Sequence, residues 1–453
     1  MRTGRKLLLI LAVLSAVSCV GGEERKLIGY YPYWMRGTLP VENIQFEHLT
    51  HVIHAFAWPD EDGNIAEPEN FPFPELIDAA HAAGRKVLLG LGGYGQSDAF
   101  PGVVASPEKR AIFIENLEAL LLAEEYDGVD LDWEFPRNAT DRANLTLFVE
   151  ELRAAFDAID PDWLITMAVN PGNWVGQWFD FPALVEHINW FGEMAYDFHG
   201  GWTDHAGHNA PLYQPANDFD GSAQTGLSYL HKTRKIPKSK IVLGVPFYGR
   251  EFNAGGLYQK STGGDKAYRY SEILGLIENG WQMHWDDFSK VPWLLNPTGD
   301  KLVTYDDPMS VQLKSEFAIA EELAGVMIWS LGQDVLARGE QPLLQRIGET
   351  LQNATTVNEA NAPLPDEFSL LQNHPNPFNP STTIAFRLPK NEKITLKIFD
   401  AVGREVAVLA QKRLFARGEH SLEFDAKDLA SGVYIYVLEA DGLKHTKKMV
   451  LLR

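Results

Sequence analysis

Short apolar runs of strand length recur along the chain from Arg25 onward, and amphipathic segments separate several of them. Segments such as "SPEKRAIFIENLEALLLAEEY" and "RANLTLFVEELRAAFDAI" carry apolar residues at helical spacing, which predicts helices between buried strands. Regular alternation of strand and helix is typical of a parallel sheet. The eight apolar runs are "KLIGYYPYW", "HVIHAFAW", "KVLLGLGGYG", "YDGVDLDWEF", "LITMAVNP", "HINWFGEMAYDF", "KIVLGVPFYGR" and "GVMIWSLG".

Eight such repeats predict an α/β fold, a closed (β/α)8 TIM barrel over residues 25–348, rather than an open doubly wound sheet. No glycine-rich phosphate loop follows the first run, which argues against nucleotide binding. One interval is long: residues 251–315, between strands 7 and 8, contain "AYRYSEILGLIENG", "MHWDDF" and "VTYDDPMSVQLK". Because ordinary loops are shorter, we expect a small α+β insertion on the rim of the barrel.

The composition changes after about residue 348. Residues 349–366 are polar and rich in Asn, Thr and Pro, as is typical of a linker. Beyond them, residues 367–453 contain short alternating segments separated by turn residues, among them "TTIAFRLP", "KITLKIFD" and "GVYIYVLEA". This alternation of period two predicts a separate all-β sandwich module.

The N-terminus has the pattern of an export signal, with basic residues, the apolar run "LLLILAVLSAV" and then small residues. We expect residues 1–19 to be a signal peptide, since the run is too short to be a transmembrane segment. Cys19 is the only cysteine, which excludes internal disulfides and cysteine metal sites. Cleavage just before Cys19 is one interpretation, and lipidation of Cys19 as in a bacterial lipoprotein is the other. Ala16 favours cleavage, because lipoprotein signals more often have leucine there.

Composition and charge narrow the function. A chain of 453 residues with 45% hydrophobic composition can bury a sizeable core in two or three domains. The formal net charge of -21 repels nucleic acid and anionic lipid, so a neutral substrate is the easier expectation. Aromatic residues are plentiful, and aromatic faces stack well on sugar rings, although most of these residues should belong to the core.

The candidate chemistry lies in "DGVDLDWEFP", residues 127–136. In an extended chain Asp130, Asp132 and Glu134 share one face, and such close carboxylates raise at least one pKa by repulsion. The motif ends the fourth strand, at the rim where (β/α)8 barrels carry catalytic residues. Glu134 projects furthest and is the candidate general acid, above an aspartate pair that we expect to share a proton.

These motifs resemble those of one family. "DGVDLDWE" resembles the DxxDxDxE signature of family 18 glycoside hydrolases, the chitinases and their relatives, and the resemblance spans about residues 27–345. By resemblance, the 2-acetamido carbonyl of the substrate is the nucleophile and configuration is retained. Glu134 is then the general acid and later the base, Asp132 orients the acetamido group, and Asp130 tunes Asp132, while Asp127 is structural. Further matching segments are "GYYPYW", "LGGYG", "MAYDFHGGW", "GHNAPLY", "GVPFYGR", "VTYDDPMS" and "MIWSLGQD".

The same resemblance suggests the residues that contact the sugar. Tyr196 should donate its hydroxyl to the acetamido oxygen, and Trp329 should form the apolar floor beneath the ring. Tyr30 should hydrogen-bond near the buried aspartates. The remaining expected substrate-binding residues are Met194, Asp197, Phe56, Tyr94, Trp202, Tyr248 and Arg250.

Three positions depart from the family pattern. Gly90 stands where many members have a serine, so one hydrogen bond to the aspartate pair is either missing or supplied by water. Tyr94 replaces a common tryptophan, and Phe135 replaces a frequent tyrosine. Both of these keep an aromatic ring, so we expect tuning of the site rather than its loss.

The C-terminal segments "NHPNPFNPSTTIAFRLP", "LKIFDAVGREV" and "LASGVYIYVLEA" resemble the sorting modules of Bacteroidetes-type (type IX) secretion systems. Alternating Asn and Pro would form a rigid entry turn. A carbohydrate-binding or spacer module is the alternative. The sorting interpretation is favoured because the segment shows no row of aromatic residues for stacking on sugar.

Together these features predict a secreted or cell-surface chitinase that cuts β-1,4 bonds between N-acetylglucosamine units. A non-catalytic lectin for chito-oligosaccharides on the same barrel is one alternative, which the presence of Glu134 disfavours. An endo-N-acetylglucosaminidase directed at N-glycans or peptidoglycan is another. We expect a monomer whose partners are chitin or its oligomers and a secretion machinery, with neither a metal nor an organic cofactor, and no contact with nucleic acid.

Overall fold

A computed structural model of the chain describes residues 25–215, 218–264, 266–359, 368–389, 392–415, 418–427, 429–440 and 443–452. The chain divides into two compact units, with the boundary after Thr356. The predicted signal peptide, including Cys19, lies outside the described residues, and so does the second part of the predicted linker.

The first unit contains the predicted closed barrel of eight parallel strands. Its first strand pairs in parallel with both the second and the last, so the sheet has no free edge. The short strand β3 (Ile65–Ala66) extends the second barrel strand as an antiparallel hairpin. Numbered with all strands of the chain, the barrel strands are β1 (Lys26–Pro32), β2 (His51–Pro59), β4 (Lys86–Gly92), β5 (Gly128–Asp132), β6 (Leu164–Val169), β7 (Phe191–Glu193), β8 (Ile241–Pro246) and β14 (Gly325–Trp329).

Residues of each barrel strand alternate between two apolar layers. Ile28 and Ile53 belong to the cluster inside the barrel, whereas Leu27 and Val52 belong to the larger cluster between the strands and the helices. This is the period-two pattern of a strand that is buried on both faces. A residue that faces the barrel interior near the carboxyl end of its strand therefore also faces the rim.

Helices cover the barrel, and several of them begin at a residue whose side chain caps the helix. Asn138, for example, accepts hydrogen bonds from the backbone N–H groups of Thr140 and Asp141 at the start of the fourth helix. The helices are α1 (Pro74–Ala82), α2 (Phe100–Ala105), α3 (Pro107–Glu124), α4 (Ala139–Ile159), α5 (Asn173–Gly176), α6 (Phe181–Leu184), α7 (Ala223–Ser228), α8 (Tyr270–Glu278), α9 (Pro308–Ala320) and α10 (Pro342–Glu359). In the described part of the chain, none of them has the length and apolar character of a membrane span.

The last helix differs from the expectation for the linker. Helix α10 continues to Glu359, so it covers the first part of the polar stretch 349–366. Leu343, Ile347 and Leu351 lie one turn apart and are buried against the barrel. This apolar stripe stabilises the helix past the point where the overall composition becomes polar.

The long interval between strands β8 and β14 forms the predicted α+β insertion. Its five strands pair antiparallel in the order β10, β9, β13, β12, β11, and α8 lies between β10 and β11 in the sequence. The strands are β9 (Tyr248–Phe252), β10 (Ala267–Arg269), β11 (Gln282–Asp286), β12 (Val291–Leu295) and β13 (Leu302–Thr304). Because β9 follows β8 almost directly, the insertion starts at the rim of the barrel.

The second unit is the predicted all-β module, with two antiparallel sheets over one apolar core. Alternate residues of its strands, such as Ile384 and Phe386 or Leu396 and Ile398, are buried. One sheet has the order β15, β16, β19 and the other β18, β17, β20, β21. The strands are β15 (Ser369–Leu370), β16 (Ser381–Leu388), β17 (Glu392–Asp400), β18 (Glu405–Phe415), β19 (Gly418–Asp425), β20 (Gly432–Ala440) and β21 (Leu443–Leu451).

Candidate active site

Three carboxyl groups of the fourth barrel strand lie at different depths. Val129 and Leu131 of β5 belong to the outer apolar layer, so alternation turns Asp130 and Asp132 toward the barrel interior. Both aspartates are buried, whereas Glu134, just beyond the strand, is half-buried. Glu134 is therefore the acid of this frame that is most accessible to a ligand.

Asp127, the first acid of the motif, has a structural environment. Its Oδ2 accepts a hydrogen bond from the backbone N–H of Val87 at 2.7 Å and lies 2.9 Å from His81 Nε2. Asp127 therefore joins the start of β5 to the neighbouring strand and to helix α1. It does not line the cleft described below.

Asp130 is fixed by two hydroxyl donors from other barrel strands. Its Oδ2 accepts from the Tyr30 hydroxyl at 2.6 Å, and its Oδ1 accepts from the Thr166 hydroxyl at 2.5 Å. Burial raises the pKa of Asp130, while the two hydrogen bonds offset part of that rise because they stabilise the carboxylate. Among the described contacts no hydrogen bond joins Asp130 to Asp132, so proton sharing between the two stays a prediction.

Gly90 of β4 lies opposite Asp130 in the sheet register. A Cβ atom at position 90 would lie 3.0 Å from a ring carbon of Phe56 and 3.1 Å from a methyl group of Ile53. A serine at this position would require these side chains to move by a few tenths of an ångström. The hydroxyl of Thr166 gives Asp130 its second donor, so the glycine does not leave this carboxylate with a single hydrogen bond.

Asp132 has a carboxyl oxygen that is free to bind a ligand. Its Oδ1 is buried and has no hydrogen-bond partner among the described residues. Burial raises the pKa of Asp132 well above its usual range, and the charges of Glu134 and Asp130 raise it further. Because a buried polar atom without a partner is costly, a ligand N–H that reached Asp132 would be strongly favoured.

Glu134 is held at the top of the frame by its own backbone. Its N–H donates to the Ser97 hydroxyl at 3.0 Å, and that hydroxyl in turn lies 3.2 Å from the carbonyl oxygen of Gly93, which accepts from it. Burial, and then the charge of Asp197, raises the pKa of Glu134 to about 7. A carboxyl group with this pKa carries a proton over part of the neutral range, as a general acid must.

Tyr196 remains a hydrogen-bond donor in this acidic environment. Burial, followed by the charges of Asp132, Glu134 and Asp197, raises the pKa of Tyr196 well above its usual range. Its hydroxyl therefore keeps its proton at any pH at which the protein works.

Asp197 is tied to the start of the insertion. Its Oδ1 accepts from the Tyr248 hydroxyl at 2.6 Å and from Arg250 Nε at 2.7 Å, and its backbone N–H donates to Asn209 Oδ1 at 3.1 Å. The Arg250 guanidinium lies 4.7 Å from the ring centre of Trp202. These contacts hold one wall of the cleft together.

Three aromatic rings form the floor of the cleft. Trp329 and Phe56 lie nearly parallel with ring centres 5.7 Å apart, and Trp329 meets Tyr30 edge-on at 5.4 Å. The cleft has a volume of about 920 Å³, and apolar side chains such as Met194 contribute to its lining. All site residues selected from the sequence line it except Asp130, which lies beneath: Tyr30, Phe56, Tyr94, Asp132, Glu134, Met194, Tyr196, Asp197, Trp202, Tyr248, Arg250 and Trp329.

Sequence reasoning missed several residues of the site, and four of them bear on its chemistry or on ligand binding. Trp34 and Trp174 also line the cleft and are 51% and 76% exposed. Each lies a few residues after the carboxyl end of a barrel strand. A tryptophan at that place in the sequence is the signal that could have identified them. Thr166 and Ser97 act through short hydroxyl groups, and the sequence gives no signal for such residues.

The geometry supports a definite chemistry. Glu134 can deliver a proton at the open end of the site, while Asp132 and Tyr196 offer an acceptor and a donor to one ligand group deeper in the cleft. The aromatic floor suits the flat face of a sugar ring. This set can protonate a leaving oxygen while it orients an amide.

Two family models match the chain. The model described as glycosyl hydrolases family 18 matches residues 26–334, which include the barrel strands and the insertion. The model described as a secretion system C-terminal sorting domain matches residues 373–452, within the second unit.

Known proteins resemble the barrel unit. The chain is 28% identical over 377 residues to an endochitinase of Manduca sexta, covering 73% of this chain and 68% of that protein. It is 29% identical over 385 residues to probable chitinase 10 of Drosophila melanogaster, covering 75% of this chain but 17% of that protein. A solved structure of catalytic domain 2 of the Ostrinia furnacalis Group II chitinase, a mutant in complex with penta-N-acetylchitooctaose, has a TM-score of 0.68 at 29% identity, covering 73% of this chain and 97% of that chain.

Proposed function

The chain belongs to family 18 of the glycosyl hydrolases, and on that premise we propose that its barrel is a chitinase that hydrolyses β-1,4 bonds between N-acetylglucosamine units. The observation that carries the proposal is the placement of Glu134, with a pKa of about 7, beside an unpartnered oxygen of Asp132 in an aromatic-floored cleft. The similar barrel from Ostrinia furnacalis in complex with a chito-oligosaccharide supports this substrate class.

The first chemical step is assigned to Glu134 and to the substrate itself. Glu134 protonates the glycosidic oxygen as the bond to the anomeric carbon breaks. The carbonyl oxygen of the 2-acetamido group attacks the same carbon from the opposite face and forms a cyclic oxazolinium intermediate. Only one enzyme carboxyl group then has to reach the leaving oxygen, which fits the single half-buried acid at the end of β5.

Asp132 and Tyr196 position the acetamido group in this mechanism. The free Oδ1 of Asp132 accepts the acetamido N–H, and this hydrogen bond stabilises the positive charge that develops on the intermediate. The Tyr196 hydroxyl donates to the acetamido carbonyl oxygen and orients it for attack. Asp130 acts through Asp132, since its charge is one cause of the raised pKa of that group.

The second step reverses the roles of Glu134. The carboxylate left by proton transfer accepts a proton from a water molecule, whose oxygen attacks the anomeric carbon and opens the intermediate. Two inversions at the same carbon retain its configuration. Glu134 returns to its protonated form, ready for the next bond.

The cleft suits a linear polymer. Trp34, Trp174 and Trp202 are exposed and line it together with Tyr94, so stacking surfaces continue beyond the floor under the reacting sugar. The insertion contributes Tyr248 and Arg250 to the same wall. Several exposed aromatic side chains in one cleft favour a chain of several sugars over a single monosaccharide.

The sorting domain indicates a secreted or cell-surface protein. We assign to this module the recognition by a secretion machinery. Deletion of residues 367–453 should leave the protein inside the cell envelope without loss of barrel activity. Binding of the isolated module to insoluble chitin would instead favour the carbohydrate-binding alternative.

The test is a time course of products from chitohexaose, with the anomeric configuration followed by NMR. The native protein should release shorter oligomers with β-configured new ends, and Glu134→Gln should lose about 10²- to 10⁴-fold in turnover. Glu186→Gln, at an exposed glutamate outside the cleft, is the matched control. Binding without cleavage by the native protein would indicate a lectin, and α-configured products would refute the substrate-assisted mechanism.

A further inference from the structure

A second group of chemically active side chains lies on the segment that follows β7. His199 and His205 from this segment meet Asp218 and Asp220, which precede helix α7. One ligand atom from each side chain lies within 4.8 Å of all the others. No part of the mechanism above uses these four residues.

The distances within the cluster fit one small metal ion. His199 Nε2 lies 3.3 Å from Asp218 Oδ1 and 3.2 Å from Asp220 Oδ2, and His205 Nε2 lies 3.8 and 3.6 Å from the same two oxygens. Zinc bonds to nitrogen and oxygen are about 2.0–2.2 Å long, so neighbouring ligands of a tetrahedral zinc ion lie roughly 3.3–3.6 Å apart. The four nitrogen–oxygen distances, 3.2–3.8 Å, are therefore close to the spacing of such a tetrahedron, and the two remaining distances are at most 4.8 Å.

Both imidazoles are oriented for metal binding by their other nitrogen. His199 Nδ1 lies 2.9 Å from the carbonyl oxygen of His208, and His205 Nδ1 lies 2.9 Å from Asp204 Oδ1. Each Nδ1 can donate its proton to that acceptor, which leaves the lone pair on Nε2 directed into the cluster. Metal-binding histidines commonly show this arrangement.

Two atoms of the cluster are buried without a hydrogen bond. The side chains of His199 and Asp218 are 0% and 1% exposed, yet His199 Nε2 and Asp218 Oδ2 have no hydrogen-bond partner among the described residues. The two carboxylate oxygens nearest to His199 Nε2 lie 3.3 and 3.2 Å away, within ion-pair distance. The described salt bridges also pair neither Asp218 nor Asp220 with a lysine or arginine.

We propose that His199, His205, Asp218 and Asp220 bind one Zn²⁺ ion at a closed, structural site. Two neutral imidazoles and two carboxylates carry two negative charges, which the dication balances. Two nitrogen and two oxygen ligands in a tetrahedral set suit zinc, whereas calcium requires more oxygen ligands and longer bonds. The ion takes no part in the hydrolysis.

The site would stabilise one wall of the cleft. His199 follows Asp197 by two residues, and Trp202 lies between the two histidines in the sequence. The His199 ring packs against Gly207, where a Cβ atom would lie 2.3 Å from it. A zinc ion would thus fix the segment that presents Trp202 to the cleft, from one end to the other.

The test measures zinc in the full chain. After treatment with a chelator and reloading with Zn²⁺ alone, the native protein should hold one equivalent by mass spectrometric metal analysis. His205→Ala and Asp220→Asn should each lower the zinc affinity at least about tenfold. His187→Ala, a partly exposed histidine outside the cluster, is the matched control and should bind like the native chain.

The visible spectrum of bound Co²⁺ tests the geometry of the site in the native chain, so this result does not depend on whether the ligand variants fold. Co²⁺ loaded into the native protein should give the intense visible bands of a tetrahedral ion, and Asp204→Ala, which keeps all four ligands, should weaken Co²⁺ binding without abolishing the bands. The proposal is overturned if the native chain takes up only trace Zn²⁺. It is also overturned if both ligand variants bind Zn²⁺ as tightly as His187→Ala, or if the Co²⁺ spectrum is that of a six-coordinate ion.

Discussion

Two groups of buried carboxylates in the barrel unit differ in what compensates their charge. Asp306, before helix α9, accepts hydrogen bonds from Lys314 Nζ at 2.6 and 2.7 Å, and both side chains are 1% exposed. Asp130 and Asp132 on β5 are equally buried, but their described partners are the hydroxyl groups of Tyr30 and Thr166, both on Asp130. One carboxylate has a cation, and the other two have none.

The difference in compensation corresponds to a difference in role between the two groups. The paired ammonium compensates the buried carboxylate, and the pair joins the segment just before α9 to the helix itself. Acids of this frame without a cation have raised pKa values, and the pKa of Glu134 is raised to about 7, so that this group can take up or release a proton near neutral pH. The uncompensated acids of β5 therefore fit a chemical role at the cleft, whereas the paired acid before α9 fits a structural one.

The largest expected effect concerns the paired site. Lys314→Met should lower the free energy of unfolding by about 3–5 kcal/mol, because Asp306 would remain buried without its cation. The double variant Lys314→Met with Asp306→Asn should recover much of this loss, since Ser310 can still donate to position 306. Denaturant unfolding measures both, and a loss below ~1 kcal/mol in the single variant would contradict the structural role.

The unpaired site should respond in the opposite way. Asp132→Asn should lower kcat by about 10²- to 10³-fold, as removal of one stabilising group in a preorganised site does. Its free energy of unfolding should stay the same or increase, because the amide does not carry the burial cost that raises the pKa of Asp132. Kinetics on chitohexaose and denaturant unfolding, measured on the same preparation, test the two expectations together. A variant that is destabilised but still active would contradict the contrast between the paired and the unpaired acids.

Thr166 should have a smaller effect on the same frame. Thr166→Val removes the hydroxyl donor to Asp130 at nearly constant volume and should cost about 1–3 kcal/mol through the unsatisfied carboxylate oxygen. The pKa of Asp130 should rise, and kcat should fall as its charge on Asp132 weakens. Thr166→Ser keeps the hydroxyl and should restore kcat. If Val and Ser behave alike, the hydroxyl has no role in the site.

The smallest effect is a shift of the pH dependence. The charge of Asp197 is the second cause, after burial, of the raised pKa of Glu134. Asp197→Asn removes that charge, so the Glu134 carboxylate becomes easier to form and its pKa falls. The alkaline limb of the kcat profile should therefore move to lower pH. A shift to higher pH would show that Asp197 acts on Glu134 in some other way, for example through Arg250.

The barrel was predictable because it depends on local patterns. Eight apolar runs separated by helices specify a closed parallel sheet, and Val129 and Leu131 show the alternation that turns Asp130 and Asp132 inward. The start of the linker was not predictable, because Leu351 continues the apolar stripe of α10 within a polar stretch. The average composition of a stretch does not show that one apolar residue in it lies at helical spacing from earlier apolar residues.

The site was predictable where the motif carries several chemical groups together. Glu134, Asp132 and Tyr196 lie on or beside strand ends, and the cleft contains them all. Thr166 could not be found, since its role depends on the register in which β5 and β6 meet in the fold, which places Thr166 opposite Asp130. The His199 cluster was missed for the same reason, because Asp218 and Asp220 come from a different segment and meet the histidines only in the fold.

The central claim is that Glu134 donates the proton from a carboxyl group whose pKa is raised by burial and like charge. The direct test is the pH dependence of kcat for chitohexaose with the native protein. Because the acid must be protonated to act, activity should fall as the pH rises through about 7, the pKa of Glu134. A rate that stays constant or increases through that range would contradict the claim.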